Sequence, residues 1–147
     1  MTVCILGNSL TALALAKALV NHEIEVHVYF NKKNYKISNS RTIGIAKNNV
    51  DFFNSNIINI KKLLWNLKRI EIFSEHLGKE KLVGFKSNDV QLFSIIKNYK
   101  LYKLLEKDLS KNKFFRSKFS NEKKLSFLKK YELIVNCDSS NFVTNRF

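Results

Sequence analysis

An α/β fold is predicted for this chain, a parallel sheet with a small antiparallel β insertion, on three observations. The first is an opening strand, tight turn and helix followed at once by a second strand: Thr2-Val3-Cys4-Ile5-Leu6, Gly7-Asn8-Ser9-Leu10-Thr11-Ala12, Leu13 to Val20, then Glu25-Val26-His27-Val28-Tyr29-Phe30. The second is a further apolar strand late in the chain, Tyr131-Glu132-Leu133-Ile134-Val135-Asn136-Cys137. The third is a pair of runs, Arg69 to Ser74 and Lys81 to Lys86, which flank a polar bend and read as a β-hairpin. The first 30 residues thus form one βαβ unit of the length a dinucleotide site requires, and the sheet is Rossmann-like.

Each element follows from its pattern. Thr2 to Leu6 is continuously apolar, as expected of a central parallel strand covered on both faces. Its helix turns Leu10, Leu13, Ala14, Ala18 and Leu19 toward the sheet and Lys17 outward. After Glu25 to Phe30 a polar loop runs from Asn31 to Arg41. Arg41 to Ala46 is extended, Lys47 to Asn56 is a helix offering Val50, Phe52 and Phe53 for packing, and Lys61 to Leu67 reads as a helical turn or two. Asn98 to Leu109 is the second strong helix, with Leu101, Leu104, Leu105 and Leu109 on one face. A short strand at Lys113 to Arg116 and a hairpin region at Lys118 to Leu128 precede the late strand, which ends in Asp138-Ser139-Ser140.

Composition narrows the function. A chain of 147 residues with 45% hydrophobic residues can bury a core without disulfides or metals. No apolar run approaches the roughly 20 residues of a membrane span, and the N-terminus lacks the pattern of a secretory signal, so a cytoplasmic location is expected. Cys4 and Cys137 lie in apolar strands and read as buried, reduced thiols. His22, His27 and His76 are scattered without metal-ligand spacing, so no metal is predicted. The net charge of +14 would suit nucleic acid, but the lysines are dispersed and the lysine, asparagine, isoleucine and phenylalanine bias resembles an AT-rich coding preference. A solvated basic face is the expectation, and an anionic membrane surface would attract it weakly.

The turn Gly7 to Ala12 is a reduced form of the G-x-G-x-x-G loop that cradles a pyrophosphate. Gly7 permits the tight turn. Ser9 is small enough for backbone approach, with a hydroxyl able to cap the helix or reach a phosphate oxygen, and Ala12 stands in for the third glycine. The helix N-terminus offers N–H groups to an anion. Taken alone, the loop is equally a structural strand-to-helix turn. At the end of the second strand, where such sites carry an acid for a ribose hydroxyl, this chain has Phe30 and Asn31.

Four stretches in order and spacing carry a family resemblance: Val3 to Ala16; Arg41-Thr42-Ile43-Gly44-Ile45-Ala46 with its following helix; Asn98-x-x-Leu101-x-x-x-Leu105; and Leu133-Ile134-Val135-Asn136-Cys137-Asp138. Together they resemble the FAD-dependent aromatic-ring monooxygenases, class A flavoproteins, and within them the ubiquinone-biosynthesis hydroxylases. The hairpin at 69–86 falls where those enzymes carry part of their smaller sheet. The resemblance implies an FAD-binding domain over 1–147, with Gly7, Ser9 and Ala12 lining the pyrophosphate, Leu10 and Thr11 contributing backbone, and Arg41 beside the cofactor. It implies that Asp138 is the aspartate of a second fingerprint, Asp-Gly followed by serine and arginine; here the glycine is Ser139, the serine position falls on Phe142 and the arginine position on Asn145, next to Arg146.

The activity implied is hydroxylation of an aromatic ring, a ubiquinone precursor, by a flavin hydroperoxide, with the protein supplying binding, orientation and exclusion of water. No acid, base or nucleophile is assigned, and His22, His27, His76 and Glu80 are read as solvated or packing residues. A further Gly-Asp motif and most of the substrate-facing sheet of that family would follow Phe147, so an N-terminal piece of a longer enzyme, peripheral on the inner face of a membrane, is the expectation. Three other readings stay open. One is a noncatalytic nucleotide-binding or interaction module of the same fold, another an NAD(P)-dependent oxidoreductase domain, and the last a basic nucleic-acid binder.

Overall fold

The computed structural model describes residues 1–30, 38–76, 78, 80–86, 93–119, 125–139 and 143–144. Its centre is a four-stranded parallel sheet of β1 (Thr2–Leu6), β2 (Glu25–Phe30), β8 (Phe115–Phe119) and β9 (Leu133–Asn136), in the order β8-β2-β1-β9. β1 pairs Val3 with both Val26 and Leu133, and Leu6 with both Tyr29 and Asn136. Val3, Cys4 and Ile5 are wholly buried, as a strand covered on two faces must be.

Helix α1 (Leu10–Asn21) makes the crossover from β1 to β2. It begins three residues before the predicted Leu13, because Ser9 caps it: the Ser9 hydroxyl accepts the Ala12 N–H at 3.3 Å and the Ser9 carbonyl accepts the Leu13 N–H at 3.0 Å. Ala12 and Ala16, both fully buried, lack the bulk to hold the helix away from the sheet. Helix α3 (Asn98–Leu109) packs beside α1, and its Leu101, Leu105 and Leu109 join Val3, Ile5, Val26 and Val28 in one core. Lys17 is not turned outward; its ammonium crosses to Asp108 of α3 at 2.7 Å.

The opposite face of the sheet carries Cys4, Leu6 and Tyr29 under Leu128 and Tyr131. Tyr131 is not part of the late strand. Its hydroxyl lies 2.8 Å from His27 Nδ1 and 2.7 Å from the Tyr29 hydroxyl, which ties the segment after the 3-10 turn Leu125–Lys130 onto the sheet. Of the hairpin region expected at Lys118 to Leu128, Lys118 and Phe119 end β8, Leu125 to Leu128 lie in this turn, and 120–124 lie outside the described residues. β8 takes its hydrogen bonds from β2, which shifts it two residues beyond the predicted start.

A second sheet is antiparallel: β3 (Thr42–Ala46), β7 (Phe93–Lys97) and β4 (Trp65–Leu67), in the order β3-β7-β4. Only Lys61–Leu63 of the predicted helical stretch is helical, as a 3-10 turn, and the chain then extends to pair with β7. Helix α2 (Lys47–Asn56) follows β3 directly. The hairpin β5 (Arg69–Phe73) and β6 (Lys81–Lys86) forms a third sheet of its own. Its register sets Ile70, Ile72, Val83 and Phe85 on one face, and Arg69, Glu71 and Lys81 in an ion-pair cluster on the other.

Candidate functional site

The site lies at the C-terminal edge of the parallel sheet, where β1 and β9 end side by side. Gly7 follows β1 with φ +100°, a conformation that favours glycine. Its N–H donates to the Tyr29 carbonyl at 2.7 Å, so the turn is tied to the end of β2. A Cβ added at Gly7 would stand 2.8 Å from Asp138 Cβ and 3.3 Å from the Asp138 nitrogen. Two independent constraints therefore require glycine here: the positive φ and the close approach of Asp138.

Ser9 joins the same two segments. Besides capping α1, its hydroxyl donates to the Cys137 carbonyl at 3.4 Å, while the Cys137 N–H donates to the Leu6 carbonyl at 2.8 Å. Its one donor and the acceptor facing the helix are thus used within the protein, and of its two expected uses the structure shows capping. Ala12 is buried against the sheet. Leu10 and Thr11 occupy the first turn of α1, and among the described residues their backbone N–H groups have no acceptor. The first turn holds no acidic side chain, so the positive end of the helix is not neutralised locally.

Gly7, Ser9, Leu10, Thr11, Ala12 and Asp138 are thus brought together by the pairing of β9 with β1, across more than a hundred residues of chain. Arg41 stands elsewhere. It is exposed, immediately precedes β3 in the antiparallel sheet, and its carbonyl accepts the Asn98 N–H at 3.0 Å at the start of α3. Among the described residues its guanidinium makes no ion pair or hydrogen bond. Asn31, Phe142, Asn145 and Arg146 lie outside the described residues.

One polar group next to Arg41 was not singled out by sequence reasoning. The Asn98 side-chain oxygen is buried without a hydrogen-bond partner among the described residues. Buried acceptors are nearly always paired, so an orphan at a helix start is a position where a hydroxyl or N–H of a ligand would be favoured. Asn at a helix start ordinarily signals capping, but α3 takes Lys97 as its cap residue, which leaves the Asn98 oxygen unused.

Both cysteines are held as neutral thiols. Burial pushes the Cys4 thiol up to about 11 and also raises that of Cys137, so both are protonated at neutral pH. Cys4 is buried as expected, whereas Cys137 is only partly so. Among the described residues no three of His, Cys, Asp and Glu are grouped as metal ligands.

What the edge can do is bind an anion and a hydroxyl-rich chain together. Amides of Leu10 and Thr11 with the helix dipole suit a phosphate. Gly7 makes the tight turn that lets Asp138 come against the loop, and Asp138 supplies a carboxylate for hydroxyl groups.

No protein-family model matches this chain, and no curated protein matches it in sequence. Among solved structures the chain is similar to p-nitrophenol 4-monooxygenase PnpA from Pseudomonas putida DLL-E4, with a TM-score of 0.62 at 12% identity, over 80% of this chain and 32% of that one. It is similar to PqsL of P. aeruginosa in complex with 2-aminobenzoylacetate, with a TM-score of 0.64 at 14% identity, over 81% of this chain and 33% of that one. It is also similar to Klebsiella pneumoniae HpxO complexed with FAD and uric acid, with a TM-score of 0.58 at 17% identity, over 80% and 30%. The chain thus spans about a third of the length of these proteins, and what it shares with them is the fold: a parallel α/β sheet with its antiparallel additions.

Proposed function

We propose that this chain is the FAD-binding portion of a flavin-dependent monooxygenase that hydroxylates an aromatic ring. The observation that carries the reading is the meeting of Gly7 and Asp138 at the sheet edge, with the unpaired Leu10 and Thr11 amides beside them. Support comes from fold neighbours solved with FAD and with small ring compounds.

In this reading the α1 N-terminus holds the pyrophosphate through the Leu10 and Thr11 amides, with Gly7 making the tight turn, Ser9 small enough for the approach and Ala12 allowing the helix to sit close to β1. Asp138 accepts hydrogen bonds from cofactor hydroxyls, and Arg41 and Asn98 provide donor and acceptor where β3 meets α3. Bound flavin supplies the redox and oxygen chemistry. The chain's own residues bind and orient it, and none is assigned to proton transfer. The sequence resemblance points to a quinone precursor as substrate. Peripheral attachment at the inner face of a membrane goes with that substrate, to which the +14 charge would add a weak attraction for anionic lipid, and no helix among the described residues is long and apolar enough to cross a membrane.

Titration of the purified protein with FAD, followed by flavin fluorescence quenching, tests the reading. Saturable binding that Gly7→Asp abolishes is expected. Colourless protein that leaves added FAD fluorescence unchanged refutes it. That outcome favours the second reading, a noncatalytic module of the same fold, for which Ser139 in the glycine position of the second fingerprint is the specific observation.

A further inference from the structure

We propose that Asn136 and Thr144 are positioning residues that clasp the backbone of Asp138. Asn136 is the last residue of β9, and its side-chain oxygen accepts the Asp138 N–H at 3.1 Å. Its amide nitrogen donates to the Thr144 hydroxyl at 2.7 Å. That hydroxyl in turn donates to the Asp138 carbonyl at 3.1 Å. Three hydrogen bonds thus close a ring around both peptide groups of one residue. The ring also settles the orientation of the Asn136 amide, since turning it over would set donor against donor at the Asp138 N–H.

The clasp answers a specific defect. The fingerprint expected after β9 carries a glycine directly after its aspartate, and here that position is Ser139. On one side Asp138 meets Gly7, where an added Cβ would come within 2.8 Å of its own. On the other side its N–H and carbonyl are bound by Asn136 and Thr144. These two side chains hold the aspartate's backbone at the edge. The inference rests on the flavin reading only for its consequence, which is that a loosened Asp138 binds FAD less well.

Two measurements on the full chain test it. In FAD titrations, Asn136→Ala and Thr144→Val, each of which breaks two of the three bonds, weaken binding about fivefold to tenfold. Thr144→Ser, which keeps the hydroxyl, binds like the parent, and the double variant, which also loses the one bond each single variant leaves, binds more weakly than either single variant but by less than the product of their effects, because both single variants already lose the Asn136–Thr144 bond. In amide hydrogen exchange without flavin, the Asp138 N–H exchanges several-fold faster in Asn136→Ala than in the parent. Equal exchange rates overturn the clasp whatever flavin does. Faster exchange with unchanged FAD affinity overturns the positioning role. A parent chain that binds no FAD overturns the flavin reading and with it the functional consequence, and the exchange rates then still decide the clasp itself.

Discussion

Replacing Gly7 with alanine adds one methyl group where the ends of β1 and β9 approach most closely on Asp138, and its cost can be worked from two terms. The backbone sits at φ +100°, and a non-glycine residue at positive φ costs about 1–2 kcal/mol. The new Cβ would lie 2.8 Å from Asp138 Cβ and 3.3 Å from both the Asp138 nitrogen and the Cys137 carbonyl carbon. Relief requires β9 to move away from β1, an overpacking penalty of about 1–3 kcal/mol. The sum, about 2–5 kcal/mol, is a large part of the roughly 5–15 kcal/mol by which a domain is stable. For a chain of this size it lowers the melting temperature by about 5–15 °C.

Gly78 is the internal control for this prediction. It too has positive φ, at +60°, but a Cβ there meets nothing within 4 Å. Gly78→Ala therefore carries only the backbone term, about 1 kcal/mol. Thermal and urea denaturation followed by circular dichroism measure both variants, and the difference between them isolates the contact with Asp138. If Gly7→Ala is no more destabilising than Gly78→Ala, the close packing of the two strand ends is refuted.

Two further perturbations probe the opposite face of the sheet. Tyr131→Phe removes the hydroxyl that contacts both His27 and Tyr29, and a loss of about 1–3 kcal/mol in urea denaturation is expected; a loss below about 0.5 kcal/mol would show that the pair of contacts does not hold the segment down. Alkaline pH acts on the same region. Burial holds the Cys4 thiol proton to about 11, from an ordinary value of 9.0, and burial with the Tyr29 hydrogen bond raises the Tyr131 phenol. The folded state keeps these protons longer than the unfolded chain, so the stability they contribute is complete below pH 9 and is lost as pH rises toward 11. Urea midpoints should fall by the equivalent of about 2 kcal/mol from Cys4 alone, and Cys4→Ala should flatten that slope; an unchanged slope would locate the titration elsewhere.

Local patterns made much of the fold legible. β1, β2 and α2 lie at the residues the sequence predicts, as does α3, because each is a continuous run whose periodicity or apolar content is self-contained. The start of α1 was misplaced by three residues for a local reason too: Leu10 to Ala12 read as a glycine-loop turn, while the Ser9 cap draws them into the helix. The hairpin was legible from its alternation, and its pairing of Ile70 with Phe85 and Ile72 with Val83 follows that alternation. β4 and β7 were not legible. Three residues at Trp65–Leu67 show no period, and β7, with which β4 pairs, lies nearly thirty residues later.

For the candidate site the division is sharper. By itself the sequence determined the strand-to-helix turn at Gly7 to Ser9, since a glycine after an apolar strand and a serine ahead of a helix act through their own backbone and their nearest neighbours. Only the tertiary structure decided that this loop faces Asp138, that Arg41 instead stands at the start of α3, and that Asn136 and Thr144 close around the Asp138 peptide groups. The reason is physical. A parallel strand carries no mark of its neighbour, because its backbone donors and acceptors are the same at every position, so strand order is chosen by packing of the whole chain and not by any stretch within it.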